Sequence, residues 1–353
     1  MSDFTIVMTY PMPMSDAVFA EHRSAVEEYL ASTPFPGGHR FHFQVPESKD
    51  PGELEELMPE ADFLLVVKEE ITEKLIGLGK HLRLIQKLGT FYKNIDVEFA
   101  TKVGVPVSVI PHFWAVTVAE HTILMMLALG KRLVSMHLAT VAGENPHSVE
   151  PIYTRQWERR FNWLGLGPDV FVQLYERTLG IIGLGEIGAE VARRARCFEM
   201  EILYNNRSRL TRTEERRLGV KFRSLSDLLR ESDFVSLHFP HTSETERMIG
   251  ADELALMKPT AFLINTARGN IVDQAALVDA LKEGAIAGAA LDVFSVEPPL
   301  PEDPLLSLDN VILTPHIAGR GPIFPRYRGA FENIARTLMG KRPKGLINPQ
   351  VYA

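Results

Sequence analysis

A single strand–turn–helix limits what this chain can fold into more than any other feature. Residues 178–188 read TLGIIGLGEIG, and AEVARRARCF follows with helical periodicity. Gly183, Gly185 and Gly188 stand at the spacing G-x-G-x-x-G. Gly183 permits a tight turn, and Gly185 lets backbone N–H groups approach a diphosphate. Gly188 lets the helix pack closely on the strand, and the positive N-terminus of that helix faces the anion. The spacing alone is weak, because a purely structural turn uses the same residues. Its position between an apolar strand and a helix, with another strand beyond, predicts a dinucleotide site.

The second strand sharpens the reading. Residues 201–210 read EILYNNRSRL, apolar at first and then polar and basic. An acid at the end of this strand would accept hydrogen bonds from both ribose hydroxyls of NAD and would repel a 2′-phosphate. Here Asn206 removes the repulsion. Arg207 and Arg209 can add charge-assisted bonds, and Ser208 can donate one. The pattern predicts a preference for NADP(H). The alternative is that the arginines are solvated surface charges and that NAD(H) is accepted as well.

The same alternation of strands and helices runs through the whole chain. Phe4–Tyr10, Arg40–Val45, Asp62–Val67, Leu82–Gly89 and Val105–Ile110 read as strands, with a helix around Ser15–Leu30 and another at ITEKLIGLG. A second series, TLGIIGL, EILYNN, FVSLHF, AFLINTA, AAL and VILTPH, follows Arg177. This rhythm predicts an α/β protein with two Rossmann-like, doubly wound parallel sheets. With 353 residues the chain is long enough for two domains. A long helix is expected from Thr117 to about Leu138, opened by the capping-box spacing of Thr117 and Glu120. Its apolar run, Val116–Val134, is interrupted by Glu120, His121, Lys131 and Arg132, which reads as a buried helix and not a membrane span. A net charge of −7 gives no electrostatic reason for a nucleic-acid or membrane partner. The N-terminus has no signal-peptide pattern, and the single Cys197 excludes an internal disulfide. A cytoplasmic protein is expected.

Three later segments carry chemistry. INTARGNIVD puts Arg268 just after a buried strand, ALDVFSVEPP puts Asp292 and Glu297 after the next, and ILTPHIAG puts His316 after the last. Ligands bind at this edge of a parallel sheet. A guanidinium can bridge a carbonyl and a neighbouring carboxylate, and an imidazole can give or take the alcohol proton. A glutamate beside it holds the ring and favours its charged form. The set suits interconversion of a 2-oxo acid and a 2-hydroxy acid. Taken singly, His316 could cap a strand, Arg268 could serve an ion pair, and Glu297 could be a turn residue. No cluster has metal-ligand spacing, and no metal is expected.

VAEHT, TLGIIGLGEIG, SDFVSLHFPHTSET, MKPTAFLINTARGNIVDQAALVDAL, GAALDVFSVEPP and NVILTPHIAG together resemble the D-isomer-specific 2-hydroxyacid dehydrogenase family, including its glyoxylate and hydroxypyruvate reductases. They span most of residues 118–319, and LIQKLGTFYKNID extends the likeness toward the N-terminus. The resemblance implies that Arg268 orients the substrate, His316 is the acid/base and Glu297 pairs with it. It implies that Asp292 bonds the nicotinamide carboxamide and that Glu186 and Ile187 meet the diphosphate through their backbone. Phe239, Pro240, Thr266, Ala267 and Gly319 would line the cofactor, and Gly89 and Thr90 would offer backbone N–H groups to the substrate carboxylate. A discontinuous substrate domain, 1–114 with 320–353, is implied beside a nucleotide domain, 115–319, with the active site in a cleft between them. A homodimer is implied, for which 143–176, with Trp157 and Trp163, is a candidate arm; a surface excursion on its own chain is the alternative.

The chain departs from the family pattern. Where many members read G-x-G-x-D, it has Gly89-Thr90-Phe91-Tyr92-Lys93, and His112-Phe113-Trp114 follow Pro111. These bulky groups suggest either a pocket altered toward a more apolar side chain or aromatic packing between domains. Two rival functions remain on the same fold: a phosphite or sugar-acid oxidoreductase, and a non-catalytic dinucleotide sensor akin to corepressors. Glu297 stands where formate dehydrogenases carry Gln, which argues against that activity.

Overall fold

A computed structural model describes residues 3–9, 24, 26–28, 38–48, 50–111, 113–148, 163–164, 166–167, 170–320 and 325–353. Most of the helix expected around Ser15–Leu30 and half of the candidate arm, including Trp157, lie outside them, as does His112. The chain divides into two compact units, residues 1–116 with 320–353, and residues 117–319.

The first unit is built on a five-stranded sheet in the order β2-β1-β3-β4-β5, with β1 Asp3–Met8, β2 Arg40–Gln44, β3 Phe63–Val66, β4 Leu84–Leu88 and β5 Val107–Ile110. Every pairing is parallel. Such strands are buried on both faces, because helices cover both; β3 and β4 are buried at every position, the polar Gln86 and Lys87 of β4 included. Alternate residues feed two cores. Phe63, Leu65, Leu84 and Leu88 pack with Tyr327, Phe331 and Ile334 of the C-terminal helix Pro325–Leu338. Leu64, Val66, Ile85 and Val107 pack with Leu54, Leu75, Ile76 and Ala100 on the other side.

A buried polar seam fixes the returning tail. Asn333 Nδ2 donates to Gln86 Oε1 at 2.8 Å, Ser108 Oγ at 3.0 Å and the Lys344 carbonyl at 3.0 Å. Its Oδ1 accepts from Lys344 N at 2.7 Å. Further on, Asn348 accepts from Val107 N and donates to the Val105 carbonyl. Each group left unpaired here would cost about 1–3 kcal/mol, so the seam specifies one register for the tail.

The second unit holds a seven-stranded, all-parallel sheet in the order β12-β11-β10-β9-β6-β7-β8. Its strands are β6 Thr178–Ile182, β7 Glu201–Asn205, β8 Lys221–Phe222, β9 Phe234–Leu237, β10 Phe262–Asn265, β11 Gly288–Leu291 and β12 Val311–Leu313. The order reverses between β6 and β9, which is where an open sheet of this kind opens a crevice for a ligand. β8 was not foreseen; two residues are too short to show any periodicity.

One expectation is corrected. The long helix starts at Phe113, not at Thr117, and runs to Gly130 before a second helix, Leu133–Val141. Thr117 lies inside the first turns, so no capping box forms there. Glu120 instead faces Arg194, 3.3 Å away. The residues before Thr117, FWAV, tolerate helix, and nothing in them stops it from extending backwards. The break comes at Arg132, whose φ of 51° is left-handed. No single helix among the described residues is long and apolar enough to cross a membrane.

Candidate active site

The glycine turn follows β6. Gly183 has φ of 93°, and a Cβ there would lie 2.7 Å from the His238 carbonyl carbon and oxygen. The turn therefore passes hard against the end of β9, the other side of the switch point. A Cβ on Gly188 would meet the Gly183 oxygen at 2.5 Å, which is why the helix Glu186–Ala195 needs glycine in its first turn. At Gly185, by contrast, a Cβ would meet nothing within 4 Å. Gly185 is the N-cap of that helix, and no side chain caps it. Open space before an uncapped helix N-terminus suits a diphosphate, so the residues fit a dinucleotide. Glu186 and Ile187 occupy the first helical turn. Phe239 and Pro240 lie just past the end of β9, after His238. His238 keeps some exposure as a residue, but its buried Nδ1 has no partner among the described residues, and burial pushes the ring's pKa down to about 3, so it stays neutral.

At the end of β7 the four polar residues divide. Asn206 turns inward: its Oδ1 accepts from Leu184 N at 2.6 Å, so it holds the glycine turn. Arg209 is paired within the chain, which the sequence did not suggest. Its Nε donates to Glu215 Oε1 at 2.8 Å, and its guanidinium lies over the Phe222 ring. Tyr204 completes the arrangement, donating to Glu215 and accepting from Leu210 N. Glu215 comes from the helix Arg212–Leu218, and nothing in the local sequence signals that it would reach back. Arg207 and Ser208 are exposed, and among the described residues neither has a hydrogen bond or ion pair.

The ends of β10, β11 and β12 bring the three expected side chains together. After β10, Asn265 folds the loop by donating to the Arg268 carbonyl at 2.9 Å and accepting from Ala267 N at 3.0 Å. Thr266 and Ala267 are buried, whereas Arg268 is exposed. Its neighbour Gly269 has no room for a side chain: a Cβ there would lie 1.9 Å from the Phe294 carbonyl carbon. The loops after β10 and β11 thus touch backbone to backbone. In the second loop, Phe294 N donates to Glu297 Oε1 at 3.0 Å, and Glu297 Oε2 meets His316 Nδ1 at 2.6 Å.

The electrostatics agree with this geometry. Partial burial raises the Glu297 pKa, but hydrogen bonds from His316 and Phe294 N–H outweigh it. The positive charges of His316 and Arg268 add to them, and the carboxyl is held below its usual range. Glu297 is therefore ionised near neutrality and accepts the hydrogen bond from Nδ1–H, which leaves Nε2 of His316 for a substrate.

Asp292 does something the sequence did not predict. It is fully buried, and its carboxylate accepts from Thr314 Oγ1 at 2.5 Å, Ile317 N at 2.9 Å and Ala318 N at 2.8 Å. It pins the loop that carries His316, Ala318 and Gly319. In the first unit, Gly89 adopts φ of 137°, but its N–H donates to the Ile110 carbonyl at 2.8 Å and is spent there. Phe91, Tyr92 and Lys93 beyond it are exposed. No group of three or more His, Cys, Asp or Glu among the described residues could hold a metal ion.

Comparison with known proteins finds a family and relatives. Residues 125–318 match the family model described as D-isomer specific 2-hydroxyacid dehydrogenase, NAD binding domain. A glyoxylate reductase of Aeropyrum pernix is 42% identical over 83% of this chain and 84% of its own length. One from Thermococcus kodakarensis is 42% identical over 88% and 91%. Among solved structures, the D-lactate dehydrogenase of Aquifex aeolicus, complexed with NAD and lactic acid, aligns at TM-score 0.52 and 28% identity, covering 97% of this chain and 99% of that one. An acyclic imino acid reductase in complex with NADPH and D-Arg aligns at TM-score 0.52 and 27% identity, covering 98% and 100%.

Because Gly269 abuts the Phe294 backbone, Gly269→Ala is expected to force the loop that carries Arg268 away from the loop that carries Glu297 and lower turnover about 100-fold. Steady-state kinetics beside a melting curve would check this; wild-type turnover in a folded variant would contradict the contact's role.

Proposed function

The chain belongs to the D-isomer-specific 2-hydroxyacid dehydrogenase family, and from that premise we propose that it reduces a small 2-oxo acid of the glyoxylate or hydroxypyruvate kind to the 2-hydroxy acid, the D-isomer where C2 becomes a stereocentre. The observation that carries this reading is the 2.6 Å contact of His316 Nδ1 with Glu297, within the field of Arg268. A nicotinamide, when bound, supplies the hydride that adds to the substrate C2. Arg268 holds the carbonyl oxygen and the adjacent carboxylate through its planar fork of donors. His316, charged and oriented by Glu297, gives its Nε2 proton to the forming alkoxide. In the reverse direction the same nitrogen takes the proton.

The test is loss of reduced-nicotinamide absorbance with a panel of 2-oxo acids. His316→Ala is expected to reduce turnover by about 100- to 10,000-fold while leaving cofactor affinity within a few-fold. Steady cofactor binding without turnover by the wild type on any 2-oxo acid would instead favour a sensor.

NADP(H) is the preferred cofactor in this reading. Asn206 supplies no negative charge, and Arg207, exposed and unengaged, is the cation free to meet a 2′-phosphate. Asn206→Asp keeps the acceptor for Leu184 N and adds a charge. It is expected to weaken NADPH at least about 10-fold relative to NADH. Fluorescence titration with both cofactors measures this, and equal losses would place the phosphate elsewhere.

A homodimer is also proposed. Leu124, Leu133, Val134, Leu138 and Val141 are exposed along the two helices between Phe113 and Val141, an apolar stretch that a second copy would cover. Light scattering should then give about twice 39.6 kDa, and a monomer at micromolar concentration would refute it.

A further inference from the structure

One turn of the helix Phe113–Gly130 contacts the loops on both sides of the proposed chemistry. His121 Nε2 lies 3.0 Å from Thr314 Oγ1. That hydroxyl commits its only hydrogen to Asp292 Oδ1 at 2.5 Å. Its oxygen can therefore only accept from His121, which fixes the hydrogen on Nε2 of His121. The next residue, Thr122, donates its own hydroxyl hydrogen to the Val118 carbonyl at 2.8 Å. Its 3.2 Å contact with Thr266 must then be donated by Thr266, two residues before Arg268. All these groups are buried or nearly so; the His121 side chain is 12% exposed and that of Asp292 1%.

The chain of bonds leads to a strained residue. His316 has φ of 51°, a left-handed conformation that costs a non-glycine residue about 1–2 kcal/mol. Three consecutive N–H groups stabilise it, all directed to Asp292: His316 N to its carbonyl at 2.9 Å, and Ile317 N and Ala318 N to its carboxylate. The position of the Asp292 carboxylate thus sets where His316 sits, and Thr314 with His121 sets that carboxylate.

We infer that His121 is a positioning residue for the reaction: it touches neither substrate nor reacting atoms, but donates through Thr314 to Asp292 and so fixes His316 opposite Glu297. Thr122 does the same for the Arg268 loop through Thr266. The inference rests on the role given to His316 above.

The experiment compares wild type, His121→Phe and His121→Gln in the full-length chain, with NADPH and the 2-oxo acid that the wild type turns over fastest. Phe keeps the ring volume and loses the donor, whereas Gln offers a side-chain N–H at similar reach. His121→Phe is expected to lower kcat about 10-fold or more, with KM and NADPH affinity within about 2-fold. His121→Gln is expected to recover kcat to within about 3-fold of wild type. Wild-type kcat in His121→Phe would overturn the inference while leaving the reductase reading intact. Equal losses in both variants, with a matching fall in melting temperature, would overturn it too, because the residue would then be merely structural. Absence of turnover by the wild type on every 2-oxo acid would remove the reductase reading, and this inference with it.

Discussion

The carboxylate of Asp292 is the interaction on which the second unit's site depends. A buried, ionisable oxygen pair is costly to leave without partners, and this one sits at the end of β11 facing the loop after β12. Two backbone amides and a threonine hydroxyl meet it there, and in meeting it they hold His316 in a conformation it would not choose alone. The favourable hydrogen bonds and the unfavourable backbone angle are formed together. The strand ends supply the geometry, and Asp292 keeps the loop there.

A second constraint acts on the neighbouring loops. With Gly269 pressed on the Phe294 backbone, the segment carrying Arg268 and the segment carrying Glu297 cannot shift independently. The guanidinium reaches Glu297 as a field, and the imidazole reaches it as a hydrogen bond. Hydrogen bonds from His316 and the Phe294 N–H, with the charge of Arg268 added, keep this carboxyl below its usual range despite partial burial.

Much of this was legible in the residues. The glycine spacing announced the turn because each glycine answers a separate steric demand, and buried strands in a parallel sheet are hard to disguise. Arg268, Glu297 and His316 were readable because their strands run in order across β10, β11 and β12, so their ends share one edge. What was not legible came from contacts distant in sequence or indifferent to pattern. Glu215 capturing Arg209 leaves no periodic trace. The start of the helix at Phe113 depends on what precedes a perfectly good cap at Thr117. Gly89 looked like an anion turn, but β5 had a use for its N–H. Asp292 was expected at a ligand, yet its carboxylate turns to its own chain's amides.

The pairing of Arg209 with Glu215 has a consequence for how such a chain can diverge. The segment between β7 and the helix Arg212–Leu218 keeps a second guanidinium in reserve, neutralised by a carboxylate that takes no part in the glycine turn. Loss of that largely buried acid through a single replacement would release the cation toward whatever anion lies nearby. The charge presented at the end of β7 can thus change at one position without touching the loops that hold residues 268, 297 and 316.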